Sequence, residues 1–510
     1  MKPNHHCRWA VALLAASSSL ACLPDPWDDL VPSPGPSKPR PKPPRKGGPP
    51  DGILDPTRRV DVELTIDPAD WGALRVEGKS LFDQFPTDVN NLEPFDYATY
   101  RAIARIDGER YTDVGVRKMG FFGGLSVWRP SLVLTFPDRG DGLRTMVLNN
   151  SMEEPSYARE CLAFELFRRA GYPASRCGFV RVVVNGQDLG TYTHVEGVDE
   201  RMLARHFEHG RGALFAGELA DFDPSTMGFI QHVSGPASRK PLERLARALE
   251  ADDDQLLDRL GRVLDLDRFR DFWALETLLG QWDGYANVAN NYYAYLDPKS
   301  SKFVFLPREL DGAFVGMPAW RPGYEITVYY GAKIANRLYQ IPEERARFRA
   351  RLVELNDALW NDAELVAKAS ALASIAPESD PGALAALQDW LRAHDDELRE
   401  ALALPAPEVP PFQPFTPPPP LDECSNGVAP ISGTFTTTFI ANPYEATPGT
   451  GNVEFEGSID GAPYPHAFFG AAGPNPYVPN ITSLAIQSEL PNGQRIGITF
   501  MIPTPYYGPG

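Results

Sequence analysis

Two hydrophobic periods divide the chain. Between Val60 and Glu196, apolar and polar positions alternate in short runs, whereas between Leu242 and Leu404 apolar residues recur every three or four positions. Val60 to Ile66 reads as a strand, and Asp67-Pro68 starts a helix that carries Trp71. Tyr100 to Ile106, Val114 to Met119 and Ser131 to Phe136 are further strands joined by glycine-rich turns, which together predict an antiparallel sheet. Phe179 to Val184 and Gly190 to Glu196 flank Asn185-Gly186, a strong hairpin signal. Pro155-Ser156 predicts the cap of a helix with Ala158, Cys161, Leu162, Glu165, Leu166 and Arg169 at helical spacing. Leu242 to Gly280 is helical, with Asp267 as its cap, and Ile334 to Leu404 adds amphipathic helices. Between them Tyr292, Tyr293 and Tyr295, then Phe303 and Phe305, predict two strands around the turn Asp297 to Ser300. Strands first and helices afterwards make an α+β protein of two lobes.

Proline marks the boundaries. Lys2, His5, His6 and Arg8 precede the apolar run Trp9 to Ala16 and the small residues leading to Cys22, so residues 1–22 read as a secretory signal. Cys22 follows Leu20-Ala21 as in a lipoprotein cleavage site, and an extracytoplasmic protein is expected, lipid-anchored or released. Residues 23–56 form a proline-rich basic tether, extended at ~3.1 Å per residue. Residues 57–404 form the main domain and 405–423 a second proline-rich linker. Residues 424–510 form a small β-sandwich-like domain suited to envelope or polysaccharide contact. Cys161 and Cys177 are either a disulfide permitted outside the cytoplasm or two buried thiols. The net charge of -18 argues against a nucleic-acid partner, and an anionic ligand would need a local basic patch.

The chemistry concentrates between Leu279 and Gly316. Asp283-Gly284 breaks the preceding helix, so the Asp283 carboxylate projects from a loop. Asn287, Asn290 and Asn291 follow at once, and the two aromatic strands return the chain to Glu309 and Asp311. Carboxylates and amides at neighbouring strand ends suit a hard cation such as Mg²⁺, which takes a few oxygen ligands plus phosphate oxygens. The alternative is that the asparagines cap backbone groups and the acids are solvated.

These segments resemble the CotH family, the spore-coat-protein-H-type atypical protein kinases. The resemblance rests on Asp283 to Tyr295, on Pro307 to Gly316, on Arg117 to Ser126 with Arg129-Pro130-Ser131, on Arg159-Glu160, and on Asn185-Gly186 to Glu196 and Asp199. Arg129 stands where the family usually carries Lys, Arg308 where it carries Trp and Glu309 where it carries Asp, and Val315 is inserted before Gly316. The resemblance covers residues 60–404. It implies a two-lobed kinase-like domain using ATP with Mg or Mn to phosphorylate Ser/Thr hydroxyls of a protein substrate. Asp283 would accept the hydroxyl proton, while Asp311, Glu309, Asn287, Asn290 and Asn291 supply the metal site. Arg117, Lys118 or Arg129 would neutralise phosphate, Glu160 would pair that cation, and Glu196 would lie at the adenine-binding hinge. The competing reading keeps the fold as a non-catalytic, surface-anchored binding module. No Ser-His-Asp or H-E-x-x-H pattern supports a hydrolase.

Overall fold

A computed structural model describes residues 52–78, 97–120, 126, 128–137, 143–315 and 325–414, together with backbone strands between 432 and 503. The signal segment with Cys22, the basic tether up to residue 51, the glycine-rich residues 121–125 and Gly316 lie outside the described residues.

The alternating segments close on themselves. β1 (Arg59–Ile66), β2 (Tyr100–Ile106), β3 (Glu109–Lys118), β4 (Leu132–Thr135), β5 (Thr145–Asn149), β6 (Cys177–Val184) and β7 (Gln187–Glu196) form a closed barrel ordered β1-β2-β3-β4-β5-β7-β6. The expected antiparallel sheet is therefore corrected in one respect. β1 also pairs in parallel with β6, Val60 opposite Val180 and Val62 opposite Val182, and this pairing removes both free edges. The inward positions Val60, Val62, Leu64, Leu132, Leu134, Val180 and Val182 form the barrel's own core. α1 (Pro68–Val76), capped by Asp67, packs on it through Trp71 and Leu74.

α2 (Arg159–Arg169) begins later than its predicted cap. Ala158 occupies the N-cap without a side-chain bond, because Ser156 turns its hydroxyl to Glu154. Cys161 and Cys177 form a disulfide with Cα atoms 5.2 Å apart, fixing α2 to the start of β6 and resolving the two expected alternatives. The buried face of α2, including Phe164 and Phe167, belongs to the core of the helical lobe.

α3 (Glu200–His206) leads to β8 (Ala213–Gly217) and β9 (Gln231–Ser234), neither of which was predicted. They pair with β10 (Tyr292–Asp297) and β11 (Lys302–Pro307) in the order β11-β10-β8-β9. Gly217 is required there, since a Cβ would fall 2.0 Å from the Tyr292 ring. The predicted long helix is three: α4 (Lys240–Ala248), α5 (Asp253–Gly261) and α6 (Leu266–Leu278). Asp265, rather than Asp267, caps α6 by accepting from Arg268 N, while Asp267 pairs with Arg270 in the first turn. α7 (Tyr285–Val288), α8 (Lys333–Gln340), α9 (Pro342–Leu359), α10 (Asp362–Ala373) and α11 (Pro381–Ala403) complete the lobe.

The second proline-rich segment does not leave the domain at Leu404. Asn336 donates to Pro410 O at 3.0 Å, Gln340 donates to Val409 O at 3.1 Å, and Val409 is buried in the core. Further on, backbone strands Phe469–Pro474, Ile481–Glu489 and Arg495–Pro503 form an antiparallel meander. Among the described residues no helix is long and apolar enough to cross a membrane.

Candidate active site

A cavity of about 560 Å³ opens where β3, β4, β5 and β7 of the barrel face β8, β9 and β10. Val133, Val147, Val195 and Tyr293 give its otherwise polar lining an apolar share, in a volume that suits a nucleotide-sized ligand. The predicted hinge, Glu196 to Asp199, lines the same cavity. The Glu196 carboxylate is itself engaged, accepting from Arg176 Nη2 at 2.8 Å and pairing with Arg205. Burial would raise its pKa, but hydrogen bonding and the two guanidinium charges hold it below the ordinary value. The two arginines therefore hold the Glu196 carboxylate in the fold.

Asp283 lies in the loop between α6 and α7. Asn290 Nδ2 donates to its Oδ1 at 3.0 Å and Asn291 Nδ2 to its Oδ2 at 2.8 Å, so both oxygens are anchored. Asn291 does this from a left-handed backbone (φ 50°), a conformation asparagine tolerates better than most residues. Asn290 also accepts from Leu219 N at 3.0 Å, so its amide is engaged at both ends. Asn287 donates to Trp282 O within the same turn. Of the three predicted amide ligands, two thus position Asp283 and the third braces its loop. Beneath them the buried Glu276 accepts from Tyr285 N at 3.0 Å and Ala286 N at 2.7 Å, tying α6 to α7. Gly284 makes this contact feasible, since a Cβ there would meet Glu276 Oε1 at 2.4 Å.

The Asp311 loop folds against this one. A Cβ on Gly312 would sit 3.1 Å from Asp283 Cβ, and Gln281 Nε2 donates to Glu309 O at 2.8 Å. Desolvation, with the charges of Asp311 and Glu309, pushes Asp283 up to about 7. Desolvation also raises Asp311 above the usual carboxylate range. Across the cleft Asn149, at the end of β5, donates to Glu160 Oε2 at 3.3 Å and to Asp311 Oδ2 at 3.4 Å. Ser151 N donates to Asn149 Oδ1 at 3.0 Å, which fixes the amide in this orientation. Glu160 is buried, and desolvation plus the charges of Asp311, Glu309 and Glu154 raise its pKa well above normal against a hydrogen bond from the Leu310 backbone. Glu154, buried and pushed up to about 7 by desolvation, joins the same cluster. Sequence reasoning missed Asn149 and Glu154, because an Asn ending a strand and a Glu in a polar loop carry no local signal.

The predicted phosphate-binding cations separate. Arg117 lines the cavity. Lys118, the next residue on the strand, points the other way and is corrected to a structural role. Its Nζ donates to Arg75 O and Glu77 O, both at 2.7 Å, closing the C-terminal end of α1. Burial lowers its pKa to about 7. Arg129 donates to Tyr157 Oη at 2.7 Å and to Thr191 O, and lies 4.9 Å from the centroid of the Tyr192 ring. Glu378, from the helical lobe, accepts from Thr191 Oγ1 at 2.7 Å beside it. Arg129 thus belongs to an interlobe contact outside the cavity lining. Glu160 faces Asp311 and Asn149 instead of either cation.

A β-barrel lobe and a helical lobe facing each other across a cavity that Glu309 lines, with Asp283 and Asp311 on the two loops that pack together beside it, define the class of architecture. The chain belongs to the CotH kinase protein family, whose model matches residues 128–390, just over half of its length. It is 27% identical over 253 residues to Invasin CotH3 of Rhizopus delemar, covering 44% of this chain and 42% of that one. It is 24% identical over 188 residues to the Inner spore coat protein H of Bacillus subtilis, covering 34% of this chain and 51% of the other. The chain therefore spans about half or less of the length of these relatives. A solved complex of Shewanella oneidensis HipA, HipB and operator DNA aligns over 70% of this chain and 77% of its own, at 13% identity and a TM-score of 0.31.

Proposed function

We propose that the protein is an extracytoplasmic protein kinase transferring the γ-phosphate of ATP to Ser/Thr hydroxyls with the help of Mg²⁺ or Mn²⁺. Family membership implies kinase chemistry and the use of ATP. The observation that carries the finer reading is the Asp283 carboxylate, anchored on both oxygens and set against the Asp311 loop.

The residues fit a hard cation. The donors are oxygens, and desolvation with the charges of Asp311, Glu309 and Glu154 raises the Glu160 pKa, a cost that a cation would relieve. Among the described residues no three His, Cys, Asp or Glu side chains suffice to hold an ion alone. Mg²⁺ commonly takes one or two carboxylates and completes its shell with water and phosphate oxygens. Asp311 and Glu160 would hold it, with Glu309 in reach, and the ion would neutralise phosphate charge. Asp283 accepts the substrate hydroxyl proton, and its anchoring amides keep the acceptor oxygen in place. Barrel and helical lobe exclude water and align the two substrates, which is most of what phosphoryl transfer asks of a protein.

The Cys161–Cys177 disulfide supports an oxidising compartment, in keeping with the N-terminal signal pattern. With Asp283→Asn, nucleotide binding should persist while transfer from γ-labelled ATP to a Ser-rich protein falls by roughly two orders of magnitude. Transfer undiminished by this change would overturn the assignment. A parent protein that binds ATP but never transfers phosphate would leave the non-catalytic binding module.

A further inference from the structure

Five basic residues could have met the anionic tail of a nucleotide, and three of them make contacts within the protein. Lys118 closes a helix end, Arg129 holds the interlobe contact, and Arg159 lies 3.9 Å from Glu154. Among the described residues lining the cavity, the Lys and Arg side chains are Arg117 and Arg308.

Arg308 is built in firmly. It follows β11, and its N–H donates to Asn291 O at 3.1 Å, next to the amide that anchors Asp283. Its side chain is only 16% exposed, yet it borders the cavity. Nη2 lies 2.6 Å from Glu218 Oε1, Nε lies 3.5 Å from Glu309 Oε1, and the guanidinium sits 5.8 Å from the centroid of the Tyr293 ring. The two contacts are unequal: Glu218 holds the planar fork in orientation, and the Glu309 contact is the longer of the two. The negative cleft floor would repel a polyphosphate unless a fixed cation stood beside it.

We propose that Arg308 is a polyphosphate-binding residue of the nucleotide site, aligned by Glu218 and exchanging its contact with Glu309 for a phosphate oxygen when nucleotide enters. Glu309 would then be available to join Asp311 in holding a divalent cation. A guanidinium suits this task because its fork can keep one carboxylate while presenting other N–H donors to phosphate. This inference rests on the nucleotide reading above, and its test separates the two.

Affinities of the full chain for ATP, adenosine and inorganic tripolyphosphate are measured with Mg²⁺ present, for the parent, Arg308→Gln and Arg308→Lys. Arg308→Gln should weaken ATP and tripolyphosphate by about 10- to 100-fold and leave adenosine unchanged, the range expected for a charged hydrogen bond. Arg308→Lys should fall between, because an ammonium keeps the charge and loses the fork. Unchanged adenosine binding also reports that the cleft is folded. If Arg308→Gln does not fold, the Lys variant decides: a selective loss of ATP upholds the proposal. Equal losses of ATP and adenosine, or no loss of either, overturn it and make Arg308 a packing residue. A parent that binds tripolyphosphate through Arg308 but not adenosine would keep the phosphate site and sink the nucleotide reading. A parent that binds none of the three overturns both.

Discussion

Lys118 and Glu160 are both buried charged side chains, yet their surroundings differ in kind. Lys118 is satisfied by two carbonyls at the end of α1. Glu160 lies among the charges of Asp311, Glu309 and Glu154 and faces Asp311 through a single shared amide at 3.3 and 3.4 Å. A buried charge whose partners are complete holds the fold together, whereas one crowded by like charges stores a cost that an incoming cation can relieve. The difference separates the structural part of the barrel from the part prepared for chemistry.

The largest effect expected from this contrast is at Asp311. Asp311→Ala should weaken metal-dependent nucleotide binding by about 100-fold or more in calorimetry, since few ligands remain to compensate phosphate and cation. Retained binding would place the cation elsewhere. Glu160→Gln should weaken that binding by about tenfold while raising the metal-free melting temperature, because the amide removes one of several like charges. A lower melting temperature with unchanged affinity would make Glu160 structural and collapse the comparison. Lys118→Met should do the reverse, costing ~1–3 kcal/mol of stability through two unsatisfied carbonyls while leaving nucleotide affinity alone.

The smallest effect is in pH. Asp283 and Glu154 are each pushed up to about 7, so the folded state holds these protons more tightly than the unfolded chain. Their contribution to stability is full below the ordinary carboxylate pKa and is lost as pH rises through about 7. Mg²⁺ competes with those protons for the same cluster. The rise in melting temperature on adding Mg²⁺ should therefore grow between pH 6 and 8, and taking that difference cancels the opposite trend from Lys118. A Mg²⁺ increment independent of pH would separate the cation site from this cluster.

The two hydrophobic periods carried most of the fold in the chain itself. Alternation marked six of the seven barrel strands, all but β5, and the Asn185-Gly186 turn marked the hairpin, because local twist and turn chemistry need no distant partner. β8 escaped because Ala213 to Gly217 is buried throughout and shows no alternation, and β9 because it is a short edge strand. Barrel closure escaped as well, since the parallel β1–β6 pair joins residues about 120 positions apart.

At the site, sequence alone brought Asp283, Asn290 and Asn291 within one short segment, and the hairpin that follows necessarily returns to Glu309 and Asp311. What each polar group faces was decided only by tertiary structure. Adjacent strand residues point to opposite faces, so Arg117 enters the cavity while Lys118 meets α1. Asn149 and Glu160 join Asp311 because β5 and α2 are carried to the cleft by the barrel and by the disulfide. Local pattern determines where a strand or helix forms. Whether a charge there is satisfied depends on partners that arrive from elsewhere in the chain, and that is settled only when the lobes pack.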